Sequence, residues 1–309
     1  MSFSNTHQGR DIQTIDLNFM QISDAIPVYL IPHAHGAILI ESGPASTIPA
    51  LEAGLKSHDL RFSDITDVFL THIHLDHAGA AGWLARQGAR IHVHPAGAPH
   101  MHDPEKLLSS AKRIYGDMMD TLWGEFLPVP PEKLFVIADG DVLEIDGLQI
   151  QAIETPGHAN HHNVYLSSGV CFSGDIGGIR IPGSRHLRLP MPPPEFNLDI
   201  WRQSQQKLQN LYTSGAFTLI APTHFGIFDD AEWHLVAIKK ALDDVEQWML
   251  DVMPADLPYE ELNRQFLIWA ENRSLAEGLS KAELEAYEAA NPSWMSTAGI
   301  QRYWKKYRS

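Results

Sequence analysis

The chain reads as a mixed α/β (α+β) fold closed by a helical C-terminal extension. Three observations predict this class. Short apolar runs bounded by Gly and Pro alternate with stretches of helical spacing over the first two thirds of the chain. After Asp229 the strand-like runs stop and only helical spacing remains. Apolar residues make up 44% of the 309, ample for a packed core and too many for a disordered chain.

The elements follow in order. Runs 26–31 and 37–41 read as strands, and 46–57 as a helix with Ile48, Leu51 and Leu55 on one face. A strand at 65–70 leads into a histidine-rich segment. A helix at 79–87 is ended by Gly88, a common C-cap residue, and a strand follows at 90–94. Positions 104–123 form the longest helical pattern of the first half, with Leu107, Ala111, Ile114, Tyr115, Met118 and Leu122 on one broad face. Pro128, Pro130 and Pro131 stop it. Strands return at 133–137, 142–145, 148–154, 163–167 and 170–173. The stretch 176–196 holds several Gly and five Pro and reads as a long loop. A helix at 199–212 and a strand at 217–221 precede the helices 231–250, 259–271, 281–289 and 296–307. Stripes such as Leu262, Phe266 and Trp269 suit core packing or a docking surface, so a homodimer is an open expectation. A boundary near Pro254 divides a main domain, 1–253, from the extension, 254–309. At about 55 residues the extension is marginal for independent folding and is expected to pack on the main domain.

Charge and composition exclude several classes. Lys plus Arg number 23 against 38 Asp plus Glu, a formal charge of −15 that repels phosphate backbones and disfavours a nucleic-acid partner. No stretch approaches the ~20 apolar residues of a membrane span, and Met1 to Met20 contains no continuous apolar run. A cytoplasmic protein acting on a small molecule, without a membrane partner, is expected. The single Cys171 rules out an intramolecular disulfide and a Cys-rich zinc module, and reads as a small buried apolar residue.

The segment Thr71-His72-Ile73-His74-Leu75-Asp76-His77 carries the chemistry. Imidazole and carboxylate suit zinc, iron or manganese. While the chain is extended, His72 and His74 point to the same side, because strand side chains alternate. Asp76 and His77 come as the chain turns towards a helix and would start a second site. More donors follow predicted strands: His158 in Thr155-Pro156-Gly157-His158, Asp175 in Ser173-Gly174-Asp175, and His224 in Thr223-His224-Phe225-Gly226. Asp175 has two oxygens and so can bridge two cations. His161 and His162 are candidates to line the pocket or back a ligand. His92 and His94 suit satisfied structural roles, and His33, His35, His100 and His102 read as loop residues.

This order of motifs resembles the metallo-β-lactamase fold superfamily over residues 20–250, above all its glyoxalase II-like and lactonase-like hydrolases. The resemblance implies a four-layer αββα sandwich with metals at one edge between two mixed sheets. It implies one metal on His72, His74 and His158, a second on Asp76, His77 and His224, and Asp175 between them. Members that hydrolyse β-lactams commonly use Cys at the second metal; Asp175 stands at the matching place, which favours the glyoxalase-like branch. One departure is Glu41-Ser42-Gly43, where the family often has an Asp-Thr-Gly-like turn. Glu41 is either an acceptor behind a ligand or a plain surface residue.

The expected function is a dinuclear metal-dependent hydrolase, with zinc ahead of iron or manganese, acting on a small ester, thioester or lactone. Two cations ~3.5–4 Å apart can hold a bridging hydroxide at neutral pH and polarise a carbonyl. Asp76 would bind metal and orient that hydroxide. No Gly-x-Ser-x-Gly elbow suggests a serine nucleophile. The proton donor to the leaving group is open between a water, a Tyr and a His. The rivals are an iron-dependent sulfur (persulfide) dioxygenase using His72, His158 and Asp175, a phosphodiesterase or nuclease, and a non-enzymatic metal binder. Helix 104–123 and loop 176–196 are candidate pocket walls, where Tyr115, Met118, Met119 and Trp123 either shape an apolar cavity or pack as core.

Overall fold

A computed structural model describes residues 5–7 and 10–308. Residues 1–4, part of the N-terminal stretch read above for its lack of an apolar run, lie outside the described residues. The first sheet holds β1 (Asn5–His7), β2 (Arg10–Asp16), β3 (Pro27–His33), β4 (Gly36–Ile40), β5 (Ile65–Phe69), β6 (Arg90–Val93) and β7 (Leu134–Val136), side by side in chain order. From β1 to β4 neighbours run antiparallel, and from β4 to β7 parallel. Parallel neighbours need crossovers. These are α1 (Ile48–Lys56), then α2 (Leu75–Ala78) and α3 (Ala81–Gln87), then α4 (Ala98–His102), α5 (Glu105–Tyr115) and α6 (Met119–Trp123).

The second sheet runs in the order β12-β11-β10-β9-β8, from β8 (Val142–Ile145), β9 (Leu148–Glu154), β10 (Asn163–Ser167), β11 (Val170–Ile179) and β12 (Leu219–His224). The parallel pair β11–β12 is joined through α7 (Leu198–Thr213). The chain ends in α8 (Ala231–Val252), α9 (Tyr259–Ala276), α10 (Lys281–Ala290) and α11 (Ser293–Tyr307).

Side-chain alternation turns this order into layers. On β3, Tyr29 and Ile31 enter the core between the sheets, while Val28 and Leu30 face outward to the helix-covered core. On β4, Ile38 and Ile40 point in, and Ala37 and Leu39 out. In the second sheet Tyr165 and Phe172 fill the inner core, and Val164, Leu166 and Cys171 the outer one beneath α7 and α8. The result is the four-layer αββα sandwich. Phe266 of α9 and Ile300 and Tyr303 of α11 share the outer core with Trp201 and Leu235.

Several elements differ from the reading of the sequence. The helix expected over 104–123 is broken at Gly116, whose φ of 54° and ψ of −127° suit only glycine. The strand expected at 170–173 continues to Ile179, against the local preference of Gly174, Gly177 and Gly178. Pairing with β12 holds it there, with register shifts around Gly174. The strand expected at 217–221 begins at Leu219 and runs through Pro222 to His224. Strand β2 was not anticipated, nor were the short helices α2 and α4, so His100 and His102 are helical rather than loop residues.

Candidate metal centre

The seven side chains singled out in the sequence meet at one edge of the sandwich, where β5, β9, β11 and β12 end. His72, His74, Asp76 and His77 follow β5. His74 caps the N-terminus of α2, so Asp76 and His77 sit on its single turn. His158 lies on the loop after β9. Gly157 in that loop has φ of 134°, and a Cβ there would stand 2.5 Å from the Trp201 backbone. Only glycine lets the loop close on α7 and aim the next residue inward. Asp175 lies within β11, and His224 ends β12.

Three groups of three donors lie close enough to hold an ion: His72, His74 and His158; Asp76, His77 and His224; and Glu41, His72 and His77, which shares residues with the other two. In the first, His72 Nε2, His74 Nδ1 and His158 Nε2 lie 2.9–3.2 Å from one another. In the second, Asp76 Oδ2 is 3.4 Å from His77 Nε2 and 3.6 Å from His224 Nε2. Asp175 stands between them. Its Oδ2 is 3.3 Å from His158 Nε2, and its Oδ1 is 3.4 Å from His77 Nε2 and 3.5 Å from His224 Nε2.

Neighbours settle which nitrogen faces the centre. His158 Nδ1 donates to Pro190 O at 2.8 Å, and His224 Nδ1 donates to Ala25 O at 2.8 Å. Glu41 is the hub of the remaining bonds. It is fully buried, so the surface alternative is overturned. Its carboxylate accepts from the Thr71 hydroxyl, from Thr223 Oγ1 at 3.0 Å and from His77 Nδ1 at 3.2 Å. With its own proton spent on Glu41, Thr71 Oγ1 accepts from His72 Nδ1 at 3.1 Å. Each of these four imidazoles is thereby left with an Nε2 lone pair directed into the site. His162 backs the site: its Nδ1 donates to Thr155 Oγ1 at 2.9 Å, and its Nε2 accepts from the Asp175 amide at 3.2 Å. His161 lines the cavity instead, with Nε2 3.4 Å from Glu195.

Electrostatics at the centre favour a bound cation. Glu41 and Asp175 are buried and Asp76 partly so, and none of the three is ion-paired to Lys or Arg among the described residues. Burial pushes the imidazoles of His72 and His74 well below their usual range, and neighbouring histidines add to the push. Burial opposes charge on His77 too, but Asp76, Asp175 and Glu41 outweigh it and hold its pKa well above normal. Burial raises the Asp175 pKa, yet His77, His158 and His224 win and drive it well below the carboxylate range. The buried His77 Nε2, His224 Nε2 and Asp175 Oδ1 have no hydrogen-bond partner among the described residues. Buried polar atoms rarely stay unsatisfied, and three lone pairs aimed at one another are satisfied by a cation. The donor set therefore fits divalent metal.

His33, read as a loop residue, instead ends β3. His92 Nε2 meets Asp67 Oδ1 at 2.7 Å and stacks on Phe69, and His94 meets Glu154 at 3.2 Å. The sequence reading passed over Thr71 and Thr223, which orient the site through Glu41. The dipeptide Thr-His occurs at 6–7, 71–72 and 223–224, so by itself it does not single out the two site threonines.

Comparison with known proteins agrees with this geometry. Residues 24–224 match the family model of the metallo-beta-lactamase superfamily. The chain is 24% identical over 203 residues to the metallo-beta-lactamase fold-containing protein ST1585 of Sulfurisphaera tokodaii, covering 64% of this chain and 73% of that one. It is 30% identical over 148 residues to the hydroxyacylglutathione hydrolase of Aeromonas hydrophila, covering 48% of this chain and only 45% of that enzyme. The crystal structure of the archaeal ST1585 from Sulfolobus tokodaii superposes with a TM-score of 0.65 at 17% identity, over 94% of this chain and 98% of that one. With the family model matched across well over half its length, the chain belongs to the metallo-beta-lactamase superfamily.

Proposed function

We propose that the protein is a dinuclear metal-dependent hydrolase of a small ester, thioester or lactone. Its family and the hydrolase among its relatives support a metal-dependent hydrolase; two metals, zinc, and the substrate class are our own reading. One observation carries it: two separate groups of three donors, with one oxygen of Asp175 turned to each. His72, His74 and His158 would hold one ion, Asp76, His77 and His224 the other, and Asp175 both. Bound there, divalent ions would polarise the scissile carbonyl and make water nucleophilic near neutral pH.

The chain's own residues supply the rest. Asp76 and Asp175 both line the cavity, and the Asp76 side chain, 18% exposed against 4% for Asp175 and none for Glu41, is the most open of the three carboxylates. It is placed to accept and orient the proton of an attacking water. Tyr115 also lines the cavity, and among the described residues its hydroxyl donates only to the weak acceptor Met295 Sδ at 3.7 Å. Burial and the nearby Asp76 carboxylate raise its pKa, so it stays a protonated donor.

A single-iron dioxygenase built on His72, His158 and Asp175 would leave the second group of donors without a purpose. Elemental analysis of protein purified without added metal, followed by a panel of esters, thioesters and lactones, tests the reading. Two zinc ions per chain and turnover of at least one class are expected. One iron per chain with oxygen uptake would overturn it. Asp175→Ala should lose most bound metal and all hydrolysis, and His224→Ala chiefly the second ion. Retention of two tightly held ions in either variant would contradict the ligand assignment.

A further inference from the structure

We infer that the substrate carries an apolar arm, an acyl chain of medium length, and that its selecting wall is built jointly by α5 and the turn between α10 and α11. This deepens the hydrolase reading and rests on it. A cavity of about 380 Å³ opens directly from the donor cluster, with His74, Asp76, His158 and Asp175 at its floor. On one side α5 presents Leu107, Ala111 and Ile114, spaced as one helical stripe. Opposite stand Ala289, Pro292 and Met295. The stacked rings of Phe19 and Trp123, 5.6 Å apart, close a further side.

Charge within the cavity argues against a strongly polar arm. Glu288 is engaged by Arg188 and Ser293, and Glu195 by the Asn160 amide and His161. Lys106 lines the cavity but is exposed. A leaving group or acyl group bearing two carboxylates, as a peptide thiol does, would find that one ammonium and two glutamates. An alkyl chain finds an apolar slot. At ~30 Å³ per water-sized group, the volume holds about a dozen such groups. A chain of roughly eight carbons therefore fits with its carbonyl left at the cluster.

The experiment uses the metal-loaded full chain and p-nitrophenyl esters from acetate to decanoate. Burial of each methylene should raise kcat/KM roughly four-fold until the cavity is full, with a fall beyond that length. Ala111→Trp, which fills the slot, should lower the octanoate-to-acetate ratio of kcat/KM at least ten-fold with metal content unchanged. Ala289→Phe narrows the slot from the other wall and should act in the same direction if the first variant fails to fold. Calorimetric binding of octanoate and acetate gives a readout that does not need turnover. Octanoate should bind at least ten-fold more tightly, with a negative heat-capacity change. Absence of turnover of every ester, thioester and lactone, with that binding preference intact, would sink the hydrolase reading and leave the apolar arm standing. Equal binding of the two acids, or a flat ester series in an active enzyme, would overturn the inference itself.

Discussion

Glu41 shows how one buried carboxylate ties several candidate donors together. It sits at φ of 71° just after β4, beneath the centre, and receives protons from Thr71, Thr223 and His77. Through Thr71 it also fixes the tautomer of His72. Burial lowers the His77 pKa, and the Glu41 charge is one of three that outweigh it. Glu41→Gln would present amide protons to partners that already donate. Acceptors behind ligating histidines commonly tune metal affinity by 10–100-fold, and a loss of that size is expected here. Competition with a chromophoric chelator measures it; unchanged affinity would show that Glu41 only fills space.

Elements matter because β11 is an improbable strand that must nonetheless present Asp175. Its glycine-rich second half is held by β12 on one side and by α8 behind it. His234 of α8 donates from Nε2 to Gly177 O at 2.7 Å, and its Nδ1 is 3.5 Å from Arg180. Burial lowers the pKa of His234 from 6.5 to about 4. The unfolded chain therefore binds a proton below pH 6.5 that the folded chain refuses until about pH 4. Its stabilising contribution is complete above pH 6.5, falls as pH drops through that window, and is lost at about pH 4. The loss amounts to up to about 3 kcal/mol. Urea unfolding at a series of pH values should give a shallower pH slope for His234→Gln than for wild type, and identical slopes would refute the assignment. In the opposite half, the break at Gly116 turns the chain from α5 into α6, so that Tyr115 and Trp123 line one cavity.

At the scale of the whole molecule, we propose that residues 254–309 form an extension that cannot fold apart from the main domain. Its Phe266, Ile300 and Tyr303 lie in one core with Trp201 and Leu242, which are fully buried. Polar clasps reinforce the contact: Tyr303 donates to Asp199 at 2.7 Å, and buried His186 meets Glu277 at 2.7 Å and Ser274 at 3.0 Å. Burying each large apolar side chain contributes roughly 1.5–3 kcal/mol, so losing several is comparable with the usual stability of a domain. A chain ending at Met253 should fail to unfold cooperatively in a thermal melt. A cooperative melt at the full-length temperature would show the extension to be separable.

Much of the fold was legible because apolar periodicity is local: β9, β10, α7 and α8 lie close to where their spacing predicts. The donor residues were legible for a related reason. Metal chemistry restricts residue type, and strand and turn geometry restrict spacing, so His72 to His77, His158, Asp175 and His224 stood out in the linear chain. Other features were not local. Whether Glu41 was a surface carboxylate or a buried hub depended on Thr71 and Thr223, one of them 182 residues away. The extent of β11 depended on a partner strand reached only after α7. The sequence by itself determined the class of fold and singled out the candidate donors. The tertiary structure decided which lone pairs face one another and what cavity stands above them, because both arise where separate segments pack.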